Sequence, residues 1–156
     1  MTASDALGGQ RYFDDVESGD EFTDSWSPTG EQVVAFLTVS NRTAPGPNRF
    51  TDDEEARKIG MTKAIVPGQM SLCRATDFVT DWMGPSGRLR SIDVNFRRPA
   101  VHDEPLKVVG LITDTLDDDG ATTVKLDVYF ENERGERPLQ GVAVVELPRR
   151  LTAAPR

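Results

Sequence analysis

The stretch from Ala64 to Gly84, AIVPGQMSLCRATDFVTDWMG, constrains the fold more than any other part of the chain. It opens with a short apolar, strand-like run, breaks at Pro67-Gly68, and then takes on helical periodicity. Leu72, Ala75, Val79 and Trp82, with Phe78 and Met83 beside them, form one wide apolar stripe, so the helix is expected to be buried and central. Gly84 followed by Pro85 ends it. Gly68 has no side chain and opens the helix. An anion or a polarised carbonyl oxygen can therefore approach its N–H and the positive end of the helix dipole. The sole cysteine, Cys73, falls inside this helix and reads as a buried, inert thiol, with no partner for a disulfide or a zinc site.

Before this helix the pattern is short and broken. Arg11-Tyr12-Phe13 and Glu21-Phe22-Thr23, separated by Gly19-Asp20, read as an opening strand and its return. Thr29 with Gln32 is a capping-box pattern that starts a short helix carrying Val33, Val34, Phe36 and Leu37. Ser40 to Phe50, SNRTAPGPNRF, is polar with two prolines and a glycine, and is expected to be a loop over the site. Thr51 and Glu54 suggest a second capping box, for a small helix through Ala56 and Ile59 to Gly60.

Beyond the central helix the period changes to two. Ile92, Val94 and Phe96 alternate, as do Leu106, Val108 and Ile112, then Val124, Leu126, Val128 and Phe130, and last Ala143, Val145 and Leu147. Turns fall at Pro99 to Pro105, Asp117 to Gly120 and Asn132 to Gly135. One apolar face per strand must be covered, and the long helix is the element available. The expected class is α+β, a single hot-dog domain with an antiparallel sheet wrapped around the helix. Residues 11–147 are assigned to it, with 1–10 a disordered N-terminal tail and 148–156 a C-terminal tail. The exposed sheet edges favour pairing into dimers.

The net charge of −8 over 156 residues disfavours nucleic acid or an anionic membrane as the main partner. With no signal-like or membrane-spanning run, a cytoplasmic protein is expected. The acidic runs Asp52 to Glu55 and Asp117 to Asp119 read as solvated helix-start and turn charges rather than metal ligands. His102, the one histidine, lies in a turn and reads as a solvated surface group.

The segments Tyr12 to Asp20, Asp52 to Gly60, Ile65 to Met70, and Phe96 to Ala100 with Leu106 to Gly110 resemble the corresponding parts of MaoC-like enoyl-CoA hydratases and dehydratases. Val79 to Pro85 is also similar to the small subunit of heteromeric hydratases in steroid side-chain breakdown. The resemblance implies an acyl thioester on CoA or an acyl carrier as ligand, no cofactor, and a homodimer or a heteromer with another hot-dog chain. In that family an Asp and a His in a D-x-N-P-x-H loop activate the water added across the 2,3-double bond. A backbone N–H at the central helix start polarises the thioester carbonyl. Here the His position falls on Phe50 and the Asp position near Pro45, and neither can move a proton.

What carries over is Gly68 as the carbonyl donor, with Gln69 beside it; Gly68 has the alternative reading of an ordinary strand-to-helix break. Asn41, Arg42, Asn48 and Arg49 could face a ligand phosphate or carbonyl, or be ordinary loop polars. Two functions are therefore expected in competition. One is a MaoC-like lyase acting on an acyl thioester or a polyketide-like acyl substrate with an unorthodox acid or base; Asp52, Asp53 and Glu54 are poor candidates for it, because a helix first turn lowers carboxylate pKa. The other is a non-catalytic hot-dog subunit that completes the acyl pocket of a heteromeric hydratase.

Overall fold

A computed structural model describes residues 9–151 of the chain. The expected N-terminal tail up to residue 8 and the last residues from 152 lie outside the described residues. In chain order the elements are β1 (Glu21–Trp26), α1 (Gly30–Asn41), α2 (Asp53–Arg57), α3 (Gly68–Met83), β2 (Arg88–Phe96), β3 (Leu106–Asp118), β4 (Ala121–Glu131) and β5 (Leu139–Glu146). The strands form one sheet in the order β1-β3-β4-β5-β2, antiparallel at every pairing, with α3 against one face. This is the α+β hot-dog arrangement that the sequence periods require.

The two periods meet in the core. On β4 the alternate residues Val124, Leu126, Val128 and Phe130 are fully buried, while Lys125 between them is exposed. From α3 come Ala75, Phe78, Val79, Trp82 and Met83. Each fully buried large apolar side chain contributes about 1.5–3 kcal/mol, so this two-layer contact holds the fold. At its centre Phe22 of β1 stacks on Trp82, with ring centroids 4.3 Å apart and planes 5° from parallel, and tilts against Phe78 at 4.9 Å. Gly110 on β3 makes room for this ring, because a Cβ at that position would overlap Phe22.

Several local expectations are corrected. Phe13–Asp15 is a 3-10 turn rather than a strand, so β1 has no hairpin partner before it and pairs instead with β3. The Thr29–Gln32 capping box is present, but α1 runs on to Asn41 and ends with Arg42 in the left-handed conformation. The loop therefore starts later than Ser40. The cap of α2 is Asp52, whose carboxylate accepts from the N–H groups of Glu54 and Glu55, and the helix stops at Arg57. Thr51 serves the loop instead, accepting from Asn48 N–H and donating to Gly46 O.

On α3, Cys73 is exposed and Leu72 only half-buried, while Ser71 is buried. The stripe read in the sequence is otherwise the buried one, Ala75, Phe78, Val79, Trp82 and Met83, with Ser71 in place of Leu72 at its first turn. At the ends of the assigned domain, Gln10 is hydrogen-bonded to Met83 and Ser86. Beyond Leu147, Arg149 and Arg150 pair with Asp14, Asp117 and Asp15.

Candidate functional site

Three remote stretches of chain converge where α3 begins. Val66 N–H donates to Ala100 O at 2.8 Å and His102 N–H to Ala64 O at 3.0 Å, with Ile65 opposite Val101. This backbone pairing holds the entry to α3 against the segment that follows β2. Ile65 N–H also donates to Arg49 O at 3.0 Å, which draws the end of the long loop to the same place. Between them is a cavity of about 350 Å³. Gly68 and Ser71 of α3 form one wall; Arg49 and Phe50 of the loop and Phe96, Arg97 and Arg98 at the end of β2 form the others. Leu139 enters because β5 pairs it with Phe96.

The helix start is open toward this space. Pro67, the N-cap, has no side-chain acceptor, and Met70 and Ser71 donate back to Pro67 O. The N–H groups of Gly68 and Gln69 have no acceptor among the described residues. They are the unsatisfied donors that every helix start leaves, placed at the positive end of a 16-residue helix. The Ser71 hydroxyl, in a residue only 5% exposed, also makes no hydrogen bond to a described residue and lines the cavity. A ligand acceptor placed here would meet these donors.

The nominated residues are only partly brought together. Gly68 and Arg49 line the cavity; Gln69 is exposed beside it and is not part of its wall. Asn48 is used inside the loop, its carboxamide accepting from Phe50 N–H and donating to Gly46 O. Asn41 and Arg42 are exposed at the end of α1 and do not line the cavity. Phe50 does line it, while Pro45 does not. Asp52 and Asp53 are committed to structure, the first as the α2 cap and the second accepting from Ala64 N–H at 2.8 Å.

His102 is the main surprise. It is buried, at 8% exposure, rather than solvated, and it packs against Gly30 at the start of α1. Its Nε2 has no hydrogen-bond partner among the described residues. It does not line the cavity.

Ser71, Phe96, Arg97, Arg98 and Leu139 were not nominated from the sequence. Arg97-Arg98 carried a usable signal, a basic pair closing an alternating strand just before Pro99. Among the described residues lining the cavity there is no carboxylate, imidazole, amine, phenol or thiol; its polar side chains are Ser71 and the three arginines. The site can therefore hold and polarise an acceptor, but it has no side chain suited to general acid–base work.

A larger recess, about 650 Å³, opens near the C-terminal part of α3 beside Trp82. Asp14, Asp15, Glu17, Asp20 and Glu21 line it together with Arg11 and Arg150, so carboxylates outnumber cations in its wall. Displaced titrations are found at that end of the molecule. Asp14 is held below the usual carboxylate range chiefly by the Arg150 N–H, and Asp117 by the Arg149 guanidinium. No cluster of three or more metal-ligating side chains occurs among the described residues, and none of their helices is long and apolar enough to cross a membrane.

No family model matches the sequence, and no curated protein matches it. Solved structures do share its fold. R-hydratase PhaJ1 from Pseudomonas aeruginosa superposes with a TM-score of 0.77 at 19% identity, covering 96% of this chain and 97% of that one. A MaoC-like dehydratase from Rhodospirillum rubrum gives 0.75 at 17%, covering 91% and 99%. The ChsH1-ChsH2 complex from Mycobacterium tuberculosis gives 0.71 at 16%, covering 85% and 98%. The chain has the hot-dog fold of R-hydratases and MaoC-like dehydratases.

Proposed function

We propose that this protein is a MaoC-like acyl-thioester-binding protein whose cavity at the start of α3 takes the thioester group. The observation that carries this reading is the open helix start: the Gly68 N–H and the Ser71 hydroxyl in the cavity wall, and the Gln69 N–H beside it, have no partner among the described residues. A thioester carbonyl placed there gains charge-complementary donors at the positive end of the dipole, and any enolate-like charge gains more.

The cavity walls favour the form of this reading in which the chain completes the acyl pocket of a heteromeric hydratase. Phe50 stands where the resemblance calls for a histidine, and the cavity-lining residues supply no other base. General acid–base groups contribute typically about 10²–10⁴-fold. That contribution has to come from another chain or be absent. Among similar structures, ChsH1-ChsH2 is a complex of two different proteins. Here β2 is an edge strand whose last residue, Phe96, is 52% exposed beside the cavity. A second hot-dog chain that extends the sheet at this edge would close the site. Light scattering at micromolar concentration is expected to show a dimer of this chain or, with its partner present, a heteromer; a monomer under both conditions counts against the edge pairing.

The decisive test uses Gly68→Pro. Proline is well suited to the first helical position, and Pro67 at φ −57°, ψ 135° already has the extended backbone that a residue before proline prefers. The change deletes one N–H with little strain. Calorimetry with a non-reactive enoyl-thioester analogue should show binding to the parent and roughly tenfold or greater weakening in Gly68→Pro, the size expected for one charge-assisted donor. The parent alone should not hydrate a short trans-2-enoyl thioester at a rate near that of an enzyme with its own acid–base pair, and Phe50→His should not restore turnover, since a lone imidazole lacks the group that orients the water. Brisk turnover by the isolated parent would overturn the subunit reading. Equal binding by both proteins would overturn the role of Gly68.

A further inference from the structure

One residue on the buried face of α3 is polar. Ser71 shares that face with Ala75, Phe78, Val79, Trp82 and Met83, and it is only 5% exposed. The other two hydroxyls on this helix turn back onto it: Thr76 donates to Leu72 O at 2.9 Å and Thr80 to Thr76 O at 3.0 Å. Ser71 does not. The carbonyl it would use, Pro67 O, already accepts from Met70 N–H at 3.0 Å and from Ser71 N–H at 3.2 Å, one donor for each lone pair. The hydroxyl is left in the cavity wall with no hydrogen bond to a described residue.

Its place along the helix gives the cavity a direction. Gly68 is exposed, whereas Ser71 is buried one turn further on, about 4.5 Å along the axis. Helical side chains lean toward the N-terminus, so the Ser71 hydroxyl leans over the turn that Gly68 opens. The other buried residues of the wall, Ile65, Val66, Ala100, Pro138 and Leu139, are apolar. Ser71 is therefore the one buried polar side chain among the described residues that line the cavity. A chain whose carbonyl meets the Gly68 N–H keeps its carrier on the exposed side and passes Ser71 within its first few carbons inward.

Resting on the acyl-thioester reading of this cavity, we infer that Ser71 selects for an acyl group that carries its own acceptor oxygen, a ketone or a hydroxyl, a few carbons beyond the thioester carbonyl. A plain hydrocarbon chain packs against the apolar walls but displaces water from the Ser71 hydroxyl without replacing its hydrogen bond. An oxygen at that point accepts the bond. Gly68 then recognises the thioester end that all such ligands share, and Ser71 sets which acyl group is preferred.

The full chain is titrated calorimetrically with three inert ligands on one carrier, the pentanoyl, 3-oxopentanoyl and 4-oxopentanoyl forms of a coenzyme A analogue in which an amide nitrogen replaces the thioester sulfur. The better of the two oxo forms is expected to bind about fivefold tighter than the pentanoyl form, the worth of one neutral hydrogen bond. Ser71→Ala and Ser71→Cys should each bring this ratio close to one. A thiol nearly fills the space of the hydroxyl but is a weak donor, so the cysteine variant separates the hydrogen bond from a change of volume. Gly68→Pro should weaken all three ligands by a common factor and keep the ratio. Equal binding of the three by the parent, or a preference that survives in Ser71→Ala, overturns the inference while leaving the thioester reading in place. The second outcome includes equal weakening of all three, which would put the Ser71 hydroxyl on the thioester carbonyl. A ratio kept by Ser71→Cys and lost in Ser71→Ala would assign the preference to volume and overturns it too. Failure of the folded parent to bind any of the three overturns both readings.

Discussion

The two ends of α3 are built from the same kind of backbone and treated in opposite ways. At the C-terminal end Gly84 takes φ +83° and donates to Thr80 O, while Met83 O accepts from Arg11 N–H at 3.3 Å and from the Gln10 carboxamide at 2.9 Å. Gln10 then accepts from Ser86 N–H at 2.7 Å. At the N-terminal end the cap is a proline without a side-chain acceptor, and the Gly68 donor opens on a cavity lined by Arg49, Arg97 and Arg98, of which only Arg98 has a carboxylate partner among the described residues. The charges follow the same division. Arg149 and Arg150, on the recess side, are bound to Asp14, Asp117 and Asp15, whereas Arg49 and Arg97 are not bound to any described carboxylate. A helix end closed by its own chain serves the fold, and one left open in a walled space keeps donors that a ligand could use.

The largest effect should come from the residue that ties the closed end to the sheet. Trp82→Ala removes the ring stacked on Phe22 and is expected to cost about 3–5 kcal/mol, the range for deleting a buried large aromatic. A denaturation midpoint equal to the parent's would show that the apolar stripe does not hold the helix. Gly84→Ala comes next. A Cβ there would lie 2.7 Å from Gln10 Cα, on a backbone conformation that side chains rarely adopt, so a loss of about 1–3 kcal/mol is expected. Gly68→Pro at the open end should change stability by no more than about 0.5 kcal/mol. Equal destabilisation by the two glycine variants would erase the contrast between the ends.

The smallest effect concerns the paired charges and has a definite sign in pH. Asp14 and Asp117 titrate below the usual carboxylate range in the folded protein, the first chiefly through the Arg150 N–H and the second through Arg149. A carboxylate with a depressed folded pKa adds stability above its unfolded pKa, about 3.9, and loses it as pH falls through the folded value. The melting-temperature gap between parent and Arg149→Gln should therefore be open at pH 7 and close on acidification below about pH 4. These groups are exposed and screened, so the gap is small throughout. A gap that is the same at pH 7 and pH 3 would detach it from these carboxylates.

Which residues were legible in advance follows from the range of the interactions that place them. The α1 capping box was readable because Thr29 and Gln32 satisfy each other within one turn, at 3.2 and 3.1 Å. The second box failed through competition of the same kind. Asp52 is the stronger acceptor for the α2 donors, and Thr51 found Gly46 and Asn48 instead. His102 was misplaced because its burial depends on Val101 bridging to Ile65 and on Gly30 lying against its ring, which are contacts between distant residues. Asn48 and Arg49 are neighbours in one polar loop with opposite roles. Asn48 turns inward to hold Phe50 N–H, and Arg49 faces the cavity.

By itself the sequence determined that a buried helix begins at Pro67-Gly68 and that the second half of the chain pairs into an antiparallel sheet over it. Helical and strand periods are local, repeating within a few residues, so they survive without knowledge of neighbours. It also placed a donor glycine at the helix start. Only the tertiary structure decided what surrounds that glycine, because Arg49, Phe96 and Leu139 meet there through pairings between remote segments: Ile65 N–H to Arg49 O, and the β2–β5 register that sets Phe96 opposite Leu139. The alternation in β2 tells which face Phe96 takes, but not which strand or which residue of it lies opposite, and no pattern in the loop tells that Arg49 will be drawn to Ile65.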